Sequence, residues 1–365
     1  MNLGIYVHIP FCIKKCDYCD FYSLTDLNLI SGYLNALEKA IADFSNIYIN
    51  RKVDSIYIGG GTPSVINAAN LAKIIYVIKQ KFNVLNDAEI TVECNPESVG
   101  YEFFKEIRKS GVNRISLGLQ SANDKTLCEI GRLATFEKAS EAVYQAQKAG
   151  FENISLDIIL FLPNESKEDI FYTLNKTVEL NPKHISAYIL KKEPNTALYS
   201  KKADYLNEDE QADIYLKTVE FLKQNGYDQY EISNFAKVGF ESRHNLKYWQ
   251  GEDYLGIGPF AHSFIENKRF YFKDMFSFID KGIGSRVFEN TTSPKERAFE
   301  KFMTGLRLKK GVELNDFKEF IDVKSVLKKA LILEKNSLLK VENTVLMLNE
   351  RGFLVSNSII NYLWD

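Results

Sequence analysis

A chain of 365 residues can hold one large domain with an appendage, or two domains, because single cores stop growing at roughly 250–300 residues. Its 45% hydrophobic and 26% charged content reads as a soluble globular protein, and a formal net charge of −2 gives no electrostatic case for nucleic acid. No apolar run approaches the roughly 20 residues that span a bilayer, and MNLGIYVHIP lacks the basic-then-apolar layout of a secretory signal, so a cytoplasmic protein is expected.

In chain order, the first predicted strand is GIYVHI (4–9), stopped by Pro10. A helical pattern in SGYLNALEKAIADF (31–44) leads to strand SIYIGG (55–60), and NLAKIIYVIKQKF (70–82) leads to strand EITVEC (89–94). YEFFKEIRKSG (101–111) precedes strand RISLGL (114–119); FEKASEAVYQAQKAG (136–150) precedes ISLDIIL (154–160) and then HISAYIL (184–190). Gly111 and Gly150 stand where helices often end, each just before a new strand. Six strands spaced by helices imply parallel βαβ units, wound as a full or partial barrel or as an open doubly wound sheet. In either case function belongs at the C-terminal ends of the strands.

After about residue 190 the rhythm changes. Residues 193–290 are rich in Tyr and Phe and include the irregular stretch YWQGEDYLGIGPFAHSF (248–264). From Thr291 the helical patterns AFEKFMTGLRLKKGVEL (298–314) and SVLKKALILEKNSLL (325–339) return, with a strand pair in LLKVENTVLMLN (338–349) and a final turn SNSIINYLW (356–364). The expected organisation is a core over 1–230, an aromatic-rich connecting region over 231–290 that carries HNLKYW, and a winged-helix-like domain over 291–365. The basic pairs Lys191-Lys192 and Lys309-Lys310 read as solvated faces, and there are no repeats or low-complexity linkers.

Three of the five cysteines, Cys12, Cys16 and Cys19, crowd into HIPFCIKKCDYCDFYS (8–23). In a reducing compartment such a cluster points to metal or redox chemistry rather than disulfides, and the odd count agrees. Thiolates suit zinc, copper(I) or iron–sulfur clusters. A closed zinc site wants a fourth ligand, and the one nearby imidazole, His8, belongs to a strand and reads as a core residue. A 4Fe-4S cluster held by three thiolates keeps one iron open for a ligand. Cys94 and Cys128 fit ordinary small apolar roles and are not counted as ligands.

With Tyr18 just before its last cysteine, the Cys-x3-Cys-x2-Cys loop resembles the radical S-adenosylmethionine (SAM) signature. The wider string is similar to that of the HemW heme chaperones, relatives of oxygen-independent coproporphyrinogen III oxidase. The resemblance runs in order through YIGGGTPS (57–64), VECNPES (92–98), SLGLQS (116–121), HNLKYW (244–249), GIGPFAHS (256–263) and GLRLKKGV (305–312). It implies a partial (β/α)6 radical SAM barrel with a small winged-helix-like α+β domain, and Cys12, Cys16 and Cys19 as ligands of a 4Fe-4S cluster whose open iron takes SAM.

By the same resemblance Gly60, Gly61 and Thr62 belong to the loop that meets the SAM amino group; the plainer alternative is a glycine turn before a helix. Glu93 and Arg132 suit the charged methionine end, Asp157 the ribose or amino group, and Gln120 accompanies them; a structural Glu93–Arg132 salt bridge is the competing reading. Tyr6 and Tyr18 match positions beside the cluster and adenine, against a core tyrosine and a surface aromatic. His244 in HNLKYW matches a heme-binding motif, the alternative being a histidine hydrogen-bonded among aromatics. His262 is expected to line a SAM or heme cavity, and His184 to be structural.

Two departures stand out. Phe161 occupies the place of a family glycine in the turn after Asp157, and Phe21 stands where the oxidase carries a further cysteine. Phe21 and HNLKYW favour a heme chaperone over an oxidase that decarboxylates coproporphyrinogen III propionates, and the missing fourth thiol disfavours a zinc-binding structural protein. The implied partners are heme-accepting proteins and an electron donor for the cluster, with a homodimer and peripheral membrane contact left open.

Overall fold

A computed structural model describes residues 2–289 and 291–364. Strands β1 (Leu3–Ile9), β2 (Lys52–Gly60), β3 (Asn83–Cys94), β4 (Arg114–Gln120), β5 (Asn153–Leu160) and β6 (His184–Ile189) lie side by side in sequence order, all parallel. The crossovers carry helices α1 (Ile30–Ile47), α2 (Ala68–Lys81), α3 (Tyr101–Ser110), α4 (Asp124–Glu129), α5 (Phe136–Lys148) and α6 (Lys167–Glu179). A doubly wound sheet would reverse its strand order at a switch point, whereas this order runs one way as in a barrel. The barrel stays partial because the other neighbour of β1 is Tyr254–Ile257, which pairs parallel to it. His262–Ile265, Lys268–Phe272 and Arg286–Phe288 then extend that side antiparallel.

Strand residues alternate between two faces. One face is apolar and buried: Ile5, Val7 and Ile9 on β1, Ile56 and Ile58 on β2, Ile115 and Leu117 on β4, Leu156 and Ile158 on β5. Helices cover that face. Helix α1, for example, buries Tyr33, Ala36, Leu37, Ala40, Ile41 and Phe44, a spacing that forms one stripe of a 3.6-residue helix. The other face is polar, and hydrogen bonds run across it from Tyr57 to Glu93, Ser116 to Asp157 and Ser155 to His184. A sheet with helices outside and polar groups inside has a lumen shaped for a polar ligand rather than for packing alone.

Helix ends follow local chemistry. Gly111 closes α3 in the left-handed conformation, as its place before β4 suggests, and Ser166 with Asp169 forms a capping box that starts α6.

Two compact groupings emerge: Met1–Leu206 with Asp253–Asn290, and Asn207–Glu252 with Thr291–Asp365. They cut across the three sequential segments expected above. Residues 207–252 group with the C-terminal segment because Glu231 bridges to Leu308 and Ile232 packs on a core of Phe302, Leu306, Leu346 and Phe353. Residues 253–289 group with the barrel through Tyr254–Ile257.

Other local expectations need correction. The aromatic stretch holds a 17-residue helix, Glu208–Gln224, started by a capping box from Asn207 and Glu210. Its buried stripe uses Tyr215 and Thr218 beside Ile214, Val219 and Leu222, which blurs the apolar period. HNLKYW is itself helical, within Arg243–Gln250 and capped by Ser242. The helix read over 298–314 spans Pro294–Gly305 instead, and Val312–Glu313 turns off as a strand. That strand joins the expected hairpin, Leu339–Glu342 and Val345–Leu348, in a three-stranded antiparallel sheet.

Candidate functional site

The cysteine loop leaves β1 at Pro10 and is closed at its base, where Leu24 N–H donates to Pro10 O (2.7 Å) and Cys12 N–H to Leu24 O (3.0 Å). Its middle is pinned at Asp17, whose N–H donates to Ile130 O (3.1 Å), whose carbonyl accepts from Leu198 N–H (2.7 Å), and whose carboxylate pairs with Lys201. Half-buried Tyr18 is seated on Leu127, Ile130, Ile159 and Leu162, and burial raises its hydroxyl pKa. These anchors hold three thiols in one short segment.

Donors face the sulfurs. The Thr62 hydroxyl lies 3.5 Å from Cys12 Sγ, and the Arg132 guanidinium lies 3.8 Å from Cys16 Sγ. Burial pushes the Cys19 thiol up, and the neighbouring charges of Cys16 and Cys12 push it the same way. Three thiolates that repel one another need a cationic centre to ionise together, which a metal cluster supplies. Among the described residues no three His, Cys, Asp or Glu side chains converge as the ligands of one ion would. An iron–sulfur cube takes its thiolates at separate corners, and the loop offers three. The loop therefore fits a 4Fe-4S cluster. Cys94 is buried on the outer face of β3 and Cys128 is exposed on α4.

The glycine run at the end of β2 is stitched to that loop: Gly61 N–H donates to Ile9 O (2.9 Å) and Thr62 N–H to Phe11 O (2.7 Å). Space explains the glycines. A Cβ on Gly60, at φ +116°, would stand 2.5 Å from His8 Nδ1, and one on Gly61 would stand 2.7 Å from Phe11 O. Close packing alone thus requires them, whatever ligand they meet.

His8 links these parts. Its Nε2–H donates to Tyr22 O (2.9 Å), so its Nδ1 accepts from the Tyr6 hydroxyl (2.9 Å). Burial lowers its pKa to about 4, which leaves the ring neutral. His8 is a core residue of β1, as read, but one that ties the far end of the cysteine loop to the sheet.

Glu93 accepts from the Tyr57 hydroxyl (2.7 Å) and Gly60 N–H (3.0 Å). Burial raises its pKa to about 7 despite those donors. Arg132 donates to Gly118 O (2.8 Å) and Asn95 Oδ1 (3.2 Å) as well as reaching Cys16, and its buried Nε has no partner. The expected alternative, a Glu93–Arg132 salt bridge, is absent: each has other partners. Asp157 accepts from the hydroxyls of Ser116 (2.9 Å) and Ser155 (3.3 Å) and is bonded by Ser186; burial raises its pKa, and those hydroxyls oppose the rise. His184 is buried and bonded to Ser155 at 2.8 Å.

Two placements differ from a strand-end reading. Asp157 lies inside β5, three residues before its end, and Arg132 follows α4 rather than a strand. Gln120 does end β4, with φ +68°, a strained value for a residue with a side chain. Sequence reasoning missed Tyr57, Ser116, Ser155, Ser186 and Asn95, together with Arg114, a lumen arginine only 1% exposed. The available signal was the shared polar parity of the strands.

Phe161 has φ +66° and is 3% exposed. The turn after β5 thus keeps the left-handed backbone that glycine adopts freely, in spite of the side chain, and Glu165 braces it by accepting from Leu162 N–H (3.1 Å). Phe161→Ala should lose about 3–5 kcal/mol as the buried ring is removed, whereas Phe161→Gly should recover about 1 kcal/mol of that by relieving the backbone. Urea unfolding checks the order wild type, Gly, Ala; an alanine variant as stable as the glycine one would contradict it.

In the second grouping His244 is buried, 1% exposed, with Nε2 3.0 Å from the Tyr248 hydroxyl one helical turn on. His262, in the barrel grouping, is 56% exposed, stacks on Tyr271 and lies 3.6 Å from Glu289. Among the described residues no helix is long and apolar enough to cross a membrane.

Comparison with known proteins agrees with this architecture. Residues 6–176 match the radical SAM superfamily and residues 292–355 the HemN C-terminal domain. The fold superposes on Escherichia coli coproporphyrinogen III oxidase with a TM-score of 0.86 over 100% of this chain and 90% of that one, at 24% identity, a likeness of fold. The heme chaperone HemW of Haemophilus influenzae is 37% identical over 87% of this chain and 86% of its own, and that of Bacillus subtilis 35% over 86% of each. HemW of Buchnera aphidicola subsp. Schizaphis graminum is 36% identical across 100% of this chain and 98% of its own. With a relative that similar along its entire length, the chain belongs to the HemW family of heme chaperones.

Proposed function

We propose that this chain works in the cytoplasm as a heme chaperone, holding a 4Fe-4S cluster through Cys12, Cys16 and Cys19, binding SAM in the polar lumen, and passing heme to apoprotein acceptors. The observation that carries this reading is the junction of the cysteine loop with the lumen, where Arg132 reaches Cys16 Sγ from the same side chain that donates to Gly118 O at the end of β4. When bound, the cluster supplies an open iron and one-electron chemistry.

The chain's own groups do the rest. Arg132 favours anionic sulfur and offers its partnerless Nε to a carboxylate. Glu93 keeps lone pairs free for an ammonium group after accepting from Tyr57 and Gly60. Asp157, fixed by hydroxyls from three strands, is set to accept from ribose hydroxyls. By the family match Tyr6, Tyr18, Gly60, Gly61, Thr62 and Gln120 are assigned to SAM, with His262 beside the cavity. Phe21, where an oxidase has cysteine, supports the chaperone over the oxidase.

Heme is assigned to His244, which must first exchange its hydrogen bond with Tyr248 for iron. Heme titration tests this. His244→Ala should abolish the Soret shift seen with wild type, and Tyr248→Phe, by removing one competing hydrogen bond, should tighten binding up to about fivefold. A Soret change unaltered in His244→Ala would remove His244 as the ligand.

A further inference from the structure

Residues 228–237 read DQYEISNFAK, and they carry three oxygen-bearing side chains into the interior of the second grouping. Strand Asp228–Gln229 runs antiparallel to Asn234–Ala236, and Tyr230 N–H donates to Asn234 O (3.1 Å), so a tight hairpin folds Glu231 back beside Asn234. Glu231 is 0% exposed, Asn234 4% and Gln229 8%. A carboxylate buried that deeply requires a partner for its charge.

The protein supplies only part of one. Glu231 Oε2 accepts from Ser233 N–H (3.1 Å), and the Asn234 amide also bonds the carboxylate. Residues 307–309 pair with residues 230–232 through the backbone, but their basic side chains turn elsewhere: Arg307 donates to Asn357 Oδ1 (2.8 Å) and Lys309 pairs with Glu350. Among the described residues Glu231 has no ion pair, and burial raises its pKa to about 7.

Glu231 Oε1, Gln229 Oε1 and Asn234 Oδ1 are all buried without a hydrogen-bond donor. Turning the Gln229 amide over would not help, because its Nε2 already donates to the Tyr215 hydroxyl (2.8 Å) and Ile232 O (3.3 Å). Tyr215 in turn donates its own proton to Ile232 O (3.1 Å). The same phenol lies in the field of Glu231, which adds to burial in raising its pKa. Gln229, Tyr215, Glu231 and Asn234 thus form one connected polar group. Thr218, one turn after Tyr215 on the buried stripe of Glu208–Gln224, has a buried Oγ1 that is also without a partner.

One water donates two hydrogens and cannot serve three acceptors. A cation serves them together. The donors are oxygens throughout, which selects a hard ion over a soft one. One carboxylate among neutral oxygens balances a single positive charge, whereas a divalent ion would leave buried charge uncompensated. Neutral amide and carbonyl oxygens can replace the hydration shell of an ion of potassium's size.

We propose that Glu231, Gln229 and Asn234 hold a monovalent metal cation of the potassium class inside the hairpin. Neither a cluster nor heme is needed for this ion to bind. Its place gives it a structural consequence: Tyr230, between two of the ligands, accepts from the N–H of Ser242, the residue that caps the HNLKYW helix (3.3 Å). The ion therefore stiffens the platform on which that helix starts.

The test exchanges the full chain into choline nitrate and titrates it with potassium nitrate, using choline nitrate at equal ionic strength as the control. Thermal unfolding should rise by roughly 3 °C or more in potassium, saturating with concentration as a binding site does. Thallium(I) nitrate serves as a spectroscopic stand-in for potassium, and its NMR resonance should shift on binding and recover when potassium displaces it. Glu231→Gln should weaken thallium binding at least about tenfold and flatten the potassium dependence. Asn234→Asp, which adds a second carboxylate, should move the preference toward calcium. Identical unfolding of wild type in potassium and choline, with no thallium shift, would overturn the site and leave these oxygens to water and a proton. A folded Glu231→Gln variant that keeps wild-type thallium affinity would overturn it as well. The wild-type titration decides alone should that variant fail to fold.

Discussion

Gly60→Ala is expected to destabilise the protein by about 2–5 kcal/mol and to prevent stable retention of the cluster. The φ of +116° already costs an L-residue about 1–2 kcal/mol, and forcing a methyl into occupied space costs about 1–3 kcal/mol more. The occupant cannot step aside: the His8 ring, 5% exposed, is bonded at Nδ1 to Tyr6 and at Nε2 to the carbonyl of Tyr22. Strain must therefore pass to the end of β2, which carries the Gly60 N–H bonded to Glu93 and the two bonds that stitch Gly61 and Thr62 to the cysteine loop. Denaturant unfolding measures the first effect and iron content after desalting the second. Because the clash is with one ring, His8→Ala should partly rescue Gly60→Ala in a double-mutant cycle. Additive losses in that cycle would show that the close approach to His8 is not the cause.

Glu93→Gln should reverse sign between stability and ligand binding. The folded-state pKa of Glu93 is raised from 4.5 to about 7, chiefly by burial, so the folded chain binds this proton more tightly than the unfolded one. The stability that follows is fully present below the unfolded pKa and is lost as pH rises through about 7, roughly 3 kcal/mol across the window. A glutamine does not titrate. Above pH 7 the variant without ligand should be more stable than wild type by about 2 kcal/mol, allowing for a mismatched hydrogen bond with Tyr57 or Gly60, and its stability curve should lose this slope. On the proposed role of Glu93 at the SAM ammonium group, SAM affinity should nonetheless fall at least about tenfold. Unfolding at several pH values, paired with equilibrium SAM binding, checks both halves. Parallel pH curves for the two proteins would show that Glu93 does not titrate in this window.

The proposed SAM site is thus held in tension with stability. Glu93 and Asp157 are buried carboxylates with raised pKa values, Gln120 and Phe161 sit at positive φ, and Arg132 keeps a buried nitrogen without a partner. Each is tolerated because the outer apolar face and its helices supply the cohesion.

What the sequence determined by itself is local. The period of six strands and their helices, the glycine that closes α3, and the crowding of Cys12, Cys16 and Cys19 are all properties of short windows, so order along the chain reveals them. Only the tertiary structure decided which groups meet. Tyr57 joins Glu93 and Ser116 joins Asp157 through strand register, which no single window contains, and the fold of the cysteine loop brings the Tyr22 carbonyl back to His8. The same holds for Asn207–Glu252, whose grouping with the C-terminal residues rests on contacts distant in sequence. It holds too for His244, whose residue type fits an iron ligand while folding buries the ring and bonds it to Tyr248. Residue type and spacing record what chemistry a chain can offer; burial and long-range register decide which of those groups are aimed, shielded or held in reserve.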